Sequence, residues 1–410
     1  MPKRRRGEAA VAVQSLPRPP PKRKQKVPAH RSMPADTNVL PPAAYWQQLA
    51  PMLHVGDLDF QATCTPLELS PARAREVRAQ LLADGFFTLA PSELPWAASL
   101  CAMRVGIKRL LRRGWPASLV LMYDESWAMA HQISKIMHAA CGCANSFDAL
   151  AWSVTPSLGQ SGFAPHRDRQ PSDVQASFHA DGIPKYVTCW IALSHASVDA
   201  SCLYIVPRSL DPGYDDGDDQ SPEAEDPLLT VMRSDAAVQS VRACPLRPGG
   251  AVLFSHRAMH WGSKGLSTCD KPRVSISFGC SDPSFEKPYL AKPTAHLPFP
   301  KPAIRAALVS AQLINYHERF DFSPALLRKF GATFRAKRGA FTEEYAQKTA
   351  AEFKAACEDQ ARGGGAAGAA DESDDEEGAA DAALDDALDA MLDAQMKAEE
   401  NLYDDFDDYS

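Results

Sequence analysis

Arg247-Pro248-Gly249-Gly250-Ala251-Val252-Leu253-Phe254 decides how this chain is read. A Pro-Gly-Gly turn releases four apolar residues in a row, the pattern of a short buried strand. Working upstream, Tyr186-Val187-Thr188-Cys189-Trp190-Ile191-Ala192-Leu193 is a second run of that type, and Cys202-Leu203-Tyr204-Ile205-Val206 is a third, closed by Pro207. Downstream, Arg273-Val274-Ser275-Ile276-Ser277-Phe278 alternates with period two. Short strands separated by Gly/Pro turns over 150–285 predict an antiparallel sandwich or jelly roll. The flanks have helical texture. Over 41–150, Pro71 opens a run through Leu81 and Leu82 that stops at Gly85, and Phe86-Phe87-Thr88-Leu89 then reads as a strand. Helical periodicity returns at 94–114 and 126–140, and again from Pro302 to about Tyr316 and from Glu343 to about Glu358.

The chain has 410 residues and is 45% hydrophobic, enough for a sizeable core. Its net charge of -7 is segregated. Residues 1–31 carry ten Lys/Arg against one Glu, whereas 371–410 carry seventeen Asp/Glu against one Lys, so the middle is formally neutral. The predicted organisation is a disordered basic arm (1–40), a central domain (41–290, helical over 41–150 with a β core over 150–285), a helical extension (291–360) and a disordered acidic tail (361–410). Lys3-Arg4-Arg5-Arg6 and Lys22-Arg23-Lys24 with Lys26 read as a bipartite nuclear-import signal; a cytoplasmic location is the alternative. Ten irregularly spaced cysteines with no secretory leader read as reduced thiols, and Cys141-Gly142-Cys143 lacks a zinc-ribbon partner. No run of eighteen apolar residues predicts a membrane span. The acidic insertion from Asp211 to Asp226 reads as a mobile loop.

The chemistry lies in three short pieces. Pro165-His166-Arg167-Asp168 supplies His-x-Asp, Met259-His260-Trp261-Gly262-Ser263 a distant imidazole, and Pro272-Arg273-Val274-Ser275 a guanidinium. Two imidazoles and one carboxylate can hold one face of Fe(II) and leave positions open for O2 and a co-substrate. On a strand, residues i and i+2 share a side, so His166 and Asp168 can grip one ion. Arg273 can pair with the far carboxylate of 2-oxoglutarate. Two competitors stay open: His179-Ala180-Asp181 repeats the His-x-Asp pattern, and His256 rivals His260. His260 is favoured because Gly262 and Ser263 after it permit close approach. His195 reads as a surface residue.

From about 83 to 285 the chain resembles the phytanoyl-CoA hydroxylase family of Fe(II)/2-oxoglutarate-dependent oxygenases. The likeness rests on Asp84-Gly85-Phe86-Phe87, the 187–193 strand, Ser201 to Pro207, and Gly249-Gly250-Ala251-Val252-Leu253-Phe254 leading to His260. It implies a double-stranded β-helix with iron on His166, Asp168 and His260. It also implies 2-oxoglutarate on Arg273, with Ser275 assisting and Trp190 nearby. The implied reaction is hydroxylation of a C–H bond in a small or lipid-like substrate, with decarboxylation of 2-oxoglutarate to succinate and CO2. Two departures stand out. Trp261 separates His260 from Gly262, and Pro207-Arg208-Ser209-Leu210 replaces the family's Pro-Gly-Ser-His element, so a fatty acyl-CoA is not to be assumed.

Two other readings compete: a nuclear oxygenase acting on a protein or nucleic acid, and an inactive jelly-roll scaffold. Leu384, Leu388, Met391, Leu392 and Met396 form a helical stripe in the acidic tail, followed by Leu402, Tyr403, Phe406 and Tyr409, a pattern suited to a basic nuclear protein. The neutral body has no basic stripe or base-stacking motif, which argues against a nucleic-acid substrate.

Overall fold

The structure is a computed structural model and describes residues 25–26, 38–219, 221 and 225–363. The helical stripe and aromatics of the acidic tail, and nearly all of the basic arm with its import signal, lie outside the described residues.

Among the described residues ten strands are formed: β1 (Gln25–Lys26), β2 (Phe86–Leu89), β3 (Ala144–Val154), β4 (Tyr186–Ala192), β5 (Leu203–Ile205), β6 (Arg242–Cys244), β7 (Ala251–Ser255), β8 (His260–Gly262), β9 (Arg273–Ser281) and β10 (Phe320–Asp321). The main sheet runs β2-β7-β4-β9-β3 and is antiparallel throughout. A smaller antiparallel sheet runs β6-β5-β8, and β1 pairs in parallel with β10.

Period-two alternation gives the main sheet two different faces. Val187, Cys189 and Ile191 of β4 enter the large core with Val274, Ile276 and Phe278 of β9 and Ala251 and Leu253 of β7. That face packs against the helices Leu100–Arg112, Asp124–Cys141 and Pro302–Asn315, whose buried side chains belong to the same cluster. The residues between them point the other way. Thr188 and Trp190, Arg273 and Ser277, and Asp148, Leu150 and Trp152 line a cavity.

Local signals explain many boundaries. The helix Pro71–Asp84 starts with Pro at its first position and the Ser70 hydroxyl accepting from Arg73 N at 3.2 Å. It stops at Gly85, whose φ of 80° is left-handed, a conformation glycine adopts without steric cost. No described helix is long and apolar enough to cross a membrane.

Four expectations are corrected. The helix expected over 94–114 begins at Leu100, because 94–99 is tied elsewhere. There, Trp96 Nε1 donates to Gly249 O (2.8 Å) and Ala97 N to Gln132 Oε1 (3.0 Å). The β core starts at Ala144, inside the region read as helical. The 291–360 extension holds an unforeseen helix, Pro324–Arg335, capped by Ser323. The first part of the acidic insertion, 211–218, is clamped rather than loose. Arg167 donates to Asp211 (2.5 and 2.7 Å) and to Asp218 (2.6 and 2.8 Å), and the side chains of Arg167 and Asp211 are fully buried. Arg257 reinforces the clamp by donating to Gly213 O at 2.6 Å and Tyr214 O at 3.3 Å. Buried charges need partners, and here each arginine finds them in the insertion.

Candidate metal centre

His166 and His260 come from different segments but face each other. Their backbones form an antiparallel bridge, with His166 N donating to His260 O at 3.0 Å and His260 N to His166 O at 3.1 Å. His260 opens β8 of the smaller sheet. The approach depends on glycine. A Cβ on Gly262 would lie 2.7 Å from Gly162 Cα, and one on Gly162 the same distance from Gly262 Cα.

One donor atom each from His166, Asp168 and His260 lies within 4.8 Å of the others, and this is the one such cluster found among the described residues. Asp168 Oδ1 stands 3.5 Å from His166 Nε2 and 3.6 Å from His260 Nε2, too far for good hydrogen bonds. Nor is the His260 contact an ion pair: burial, aided by His166, pushes His260 down to about 4, so its ring is neutral at pH 7. The outer ring nitrogens are already engaged. His166 Nδ1 donates to Ala164 O (2.7 Å) and His260 Nδ1 to Ala258 O (3.0 Å), which turns both Nε2 lone pairs inward. Burial acts to raise Asp168, but His260, His166 and the Thr188 hydroxyl outweigh it and hold the carboxyl well below its usual range. Thr188 Oγ1 donates to Asp168 Oδ2 at 2.5 Å, leaving Oδ1 for the cluster. Three inward donors that do not bond one another fit a divalent first-row metal on two nitrogens and one oxygen.

Arg273 lies on the same cavity and is 3% exposed. Its Nε donates to Ser201 O (3.2 Å) and one terminal nitrogen to Ser275 Oγ (2.8 Å), while its guanidinium stands 5.3 Å from the centre of the Trp190 ring. Ser201 adopts φ 64°, unusual for a residue with a Cβ, where its carbonyl meets Arg273. No carboxylate pairs with Arg273 among the described residues, and burial pulls its pKa down to about 10. A buried guanidinium lacking its counter-ion fits the distal carboxylate of 2-oxoglutarate.

The competitors lie elsewhere. His256 is fully buried, bonded to Ser177 Oγ (2.9 Å) and close to Tyr186 O (3.2 Å). His179 and Asp181 form a turn whose carboxylate meets Arg78 at 2.6 Å near the surface. His195 is exposed. Cys141 and Cys143 are free thiols and join no cluster of metal-binding geometry.

The sequence reading missed several lining residues. Arg169 pairs with Asp148 (2.9 Å) and Glu286 (2.5 Å) and covers the Tyr186 ring at 4.3 Å. Thr188 was legible as the inward member of an alternating strand. Tyr316 had no signal, being supplied by a helix end far along the chain. The cavity's volume is about 90 Å³.

A metal-and-co-substrate site on one face of an antiparallel sheet, backed by helices, is the arrangement of a non-haem oxygenase. Residues 124–273, which include all three cluster residues and end on Arg273, match the phytanoyl-CoA dioxygenase family, a match that supports an iron- and 2-oxoglutarate-dependent oxygenase. Its cofactor set is Fe(II), 2-oxoglutarate and O2. No curated protein matches the chain. Among solved structures it is similar to the non-haem alpha-ketoglutarate-dependent epimerase SnoN from nogalamycin biosynthesis (20% identity, 52% of this chain and 82% of that one, TM-score 0.38). It is also similar to the carbocyclase SnoK from nogalamycin biosynthesis (20%, 52% and 85%, 0.39). A third likeness is HygX from Streptomyces hygroscopicus with nickel and 2-oxoglutarate bound (16%, 54% and 90%, 0.36).

Proposed function

We propose that the protein hydroxylates a C–H bond of a small molecule, with His166, Asp168 and His260 as the iron ligands. Arg273 binds the distal carboxylate of 2-oxoglutarate, Ser275 orients the guanidinium, and Trp190 packs beside it. The observation that carries this reading is the set of three inward donors beside a buried, uncompensated arginine. The two antiparallel sheets are, on this reading, the halves of a double-stranded β-helix.

When bound, Fe(II) supplies the redox chemistry by which R–H, O2 and 2-oxoglutarate become R–OH, succinate and CO2. The chain's own residues position and shield. Ala164 O and Ala258 O hold the imidazoles in the tautomer that offers Nε2. Thr188 fixes the Asp168 carboxylate in one orientation. Phe254, 4.3 Å from the His260 ring, and Phe163, 5.6 Å from the His166 ring, limit water around the ligands.

Succinate release in air, measured with Fe(II) and 2-oxoglutarate on the full chain, tests the assignment. Slow release without substrate is expected from wild type and none from His166→Ala or Arg273→Ala. Equal release from all three would refute it.

A further inference from the structure

The metal cluster is tied to a part of the chain outside the family match of 124–273. The tie begins on the helix Glu343–Gly363, where the Tyr345 hydroxyl donates to Gln312 Oε1 at 2.9 Å. Gln312, on the helix Pro302–Asn315, donates through Nε2 to Asp148 Oδ1 at 2.6 Å. Asp148 Oδ2 accepts from Arg169 Nη2 (2.9 Å) and from the Tyr186 hydroxyl (2.7 Å). Arg169 in turn donates through Nη1 to the main-chain carbonyl of Asp168 at 2.9 Å. A continuous chain of hydrogen bonds therefore runs from the C-terminal extension to the backbone of a proposed iron ligand.

Each link is constrained. Gln312 is 2% exposed and Tyr345 6%, so bulk water does not replace a lost partner. Tyr345 also fixes which way the Gln312 amide faces. With Oε1 taken by the hydroxyl, the NH2 group meets Asp148; reversed, the amide would set its oxygen against a carboxylate. Asp148 needs such support, because the pairing of β3 with β9 slips between Asn145 and Ala149 and the ladder does not hold it. Burial acts to raise Asp148, but Arg169, Tyr186 and Gln312 outweigh it and keep it an ionised acceptor. Glu286 takes Arg169 Nε and shares Nη2, which leaves Nη1 for Asp168 O. Asp148 and Glu286 together set the plane of the guanidinium. Asp168 is thus held at both ends, its carboxylate by Thr188 and its carbonyl by Arg169.

The geometry points to Gln312 as a positioning residue of the metal centre, acting through Asp148 and Arg169 on the Asp168 segment, so that the C-terminal extension sets how tightly iron is held. This rests on the oxygenase reading and adds to it a requirement for residues beyond 273.

The test measures Fe(II) affinity of the full chain by anaerobic equilibrium dialysis, beside urea unfolding of the metal-free protein. Gln312→Leu should weaken Fe(II) binding about tenfold, as loss of an outer partner of a metal ligand does. Tyr345→Phe, which removes one hydroxyl, should weaken it by a smaller factor. Gln312→Leu combined with Asp148→Asn should bind within about twofold of Asp148→Asn alone, because both act along one path. Gln360→Leu removes a bond of the same kind elsewhere in the extension, Gln360 Nε2 to Phe322 O at 2.8 Å, and should leave Fe(II) affinity unchanged. A loss below about twofold in Gln312→Leu overturns the proposal, as do an equal loss in Gln360→Leu and losses that multiply in full in the double variant. If urea unfolding shows that Gln312→Leu does not fold, Tyr345→Phe decides, and unchanged affinity there overturns the proposal. A wild type that binds no Fe(II), or whose binding survives His166→Ala, strikes the oxygenase reading and this role with it. Wild-type binding that ignores Gln312 strikes the role alone.

Discussion

The chain carries His-x-Asp twice, and the two copies have opposite fates. In His166-Arg167-Asp168 both outer side chains enter the metal cluster, while the middle residue is locked into the acidic insertion by Asp211 and Asp218. In His179-Ala180-Asp181 the middle residue anchors nothing. Gly182 turns the chain with φ 81°, and Asp181 accepts from its own loop at Ile183 N (3.3 Å) and from Arg78 at the surface. The pattern is the same; the anchors differ. Asp168 has Thr188 to orient it and the imidazoles have carbonyls behind them, whereas the second copy has local turn bonds and one surface arginine. A metal site is made by what holds its ligands as much as by the ligands.

Substitutions can break this contrast in graded steps. His166→Ala should abolish Fe(II) binding, read by anaerobic equilibrium dialysis, while the fold persists. Arg167→Met should leave buried Asp211 without its arginine and take from Asp218 the closer of its two arginines, and cost about 3–5 kcal/mol in urea unfolding, although it removes no ligand. A loss below about 1 kcal/mol would show that the insertion does not brace the site.

The two distal histidines give a pH comparison. Burial, with Arg257 and Arg169 nearby, pushes His256 down to about 3 against its backbone contact with Tyr186. Its unfolded value is about 6.5, so the unfolded chain takes up the extra proton. The stability linked to this group is full above about pH 6.5 and is lost as pH falls toward 3, by a few kcal/mol in all. His256→Gln should flatten that part of the profile without touching Fe(II) binding, as followed by urea unfolding at several pH values.

Smaller effects follow. Thr188→Val should weaken Fe(II) binding about tenfold with little change in melting temperature. Asp181→Asn, which breaks an exposed pair, should change stability by less than about 1 kcal/mol and leave Fe(II) affinity as it was. A Fe(II) defect in Asp181→Asn would erase the difference between the two copies.

Much of the sheet was legible because its strands are either apolar runs, as at 187–193 and 251–254, or strict alternations, as from Arg273. β3 was not, because its pairing with β9 slips between Asn145 and Ala149, where Phe147 adopts φ 67°. That bulge breaks the period-two signal and re-aims Asp148 toward the cavity. The insertion was misread because its acids looked solvated, while their partners Arg167 and Arg257 lie distant in sequence. The candidate cluster of His166, Asp168 and His260 could be preferred over its rivals, since turn residues surround His179 and glycine follows His260. Tyr316 reaches the site only through tertiary packing of the extension, which no local pattern encodes.

The central claim is that the first His-x-Asp, not the second, builds the iron site with His260 and Arg273. Its most direct test is the anaerobic absorption band formed when Fe(II) and 2-oxoglutarate are added together to the full chain. The band should form in wild type, Asp181→Asn and His256→Gln, and be lost in His166→Ala, His260→Ala and Arg273→Ala. A band that survives His166→Ala but disappears in Asp181→Asn would contradict the account.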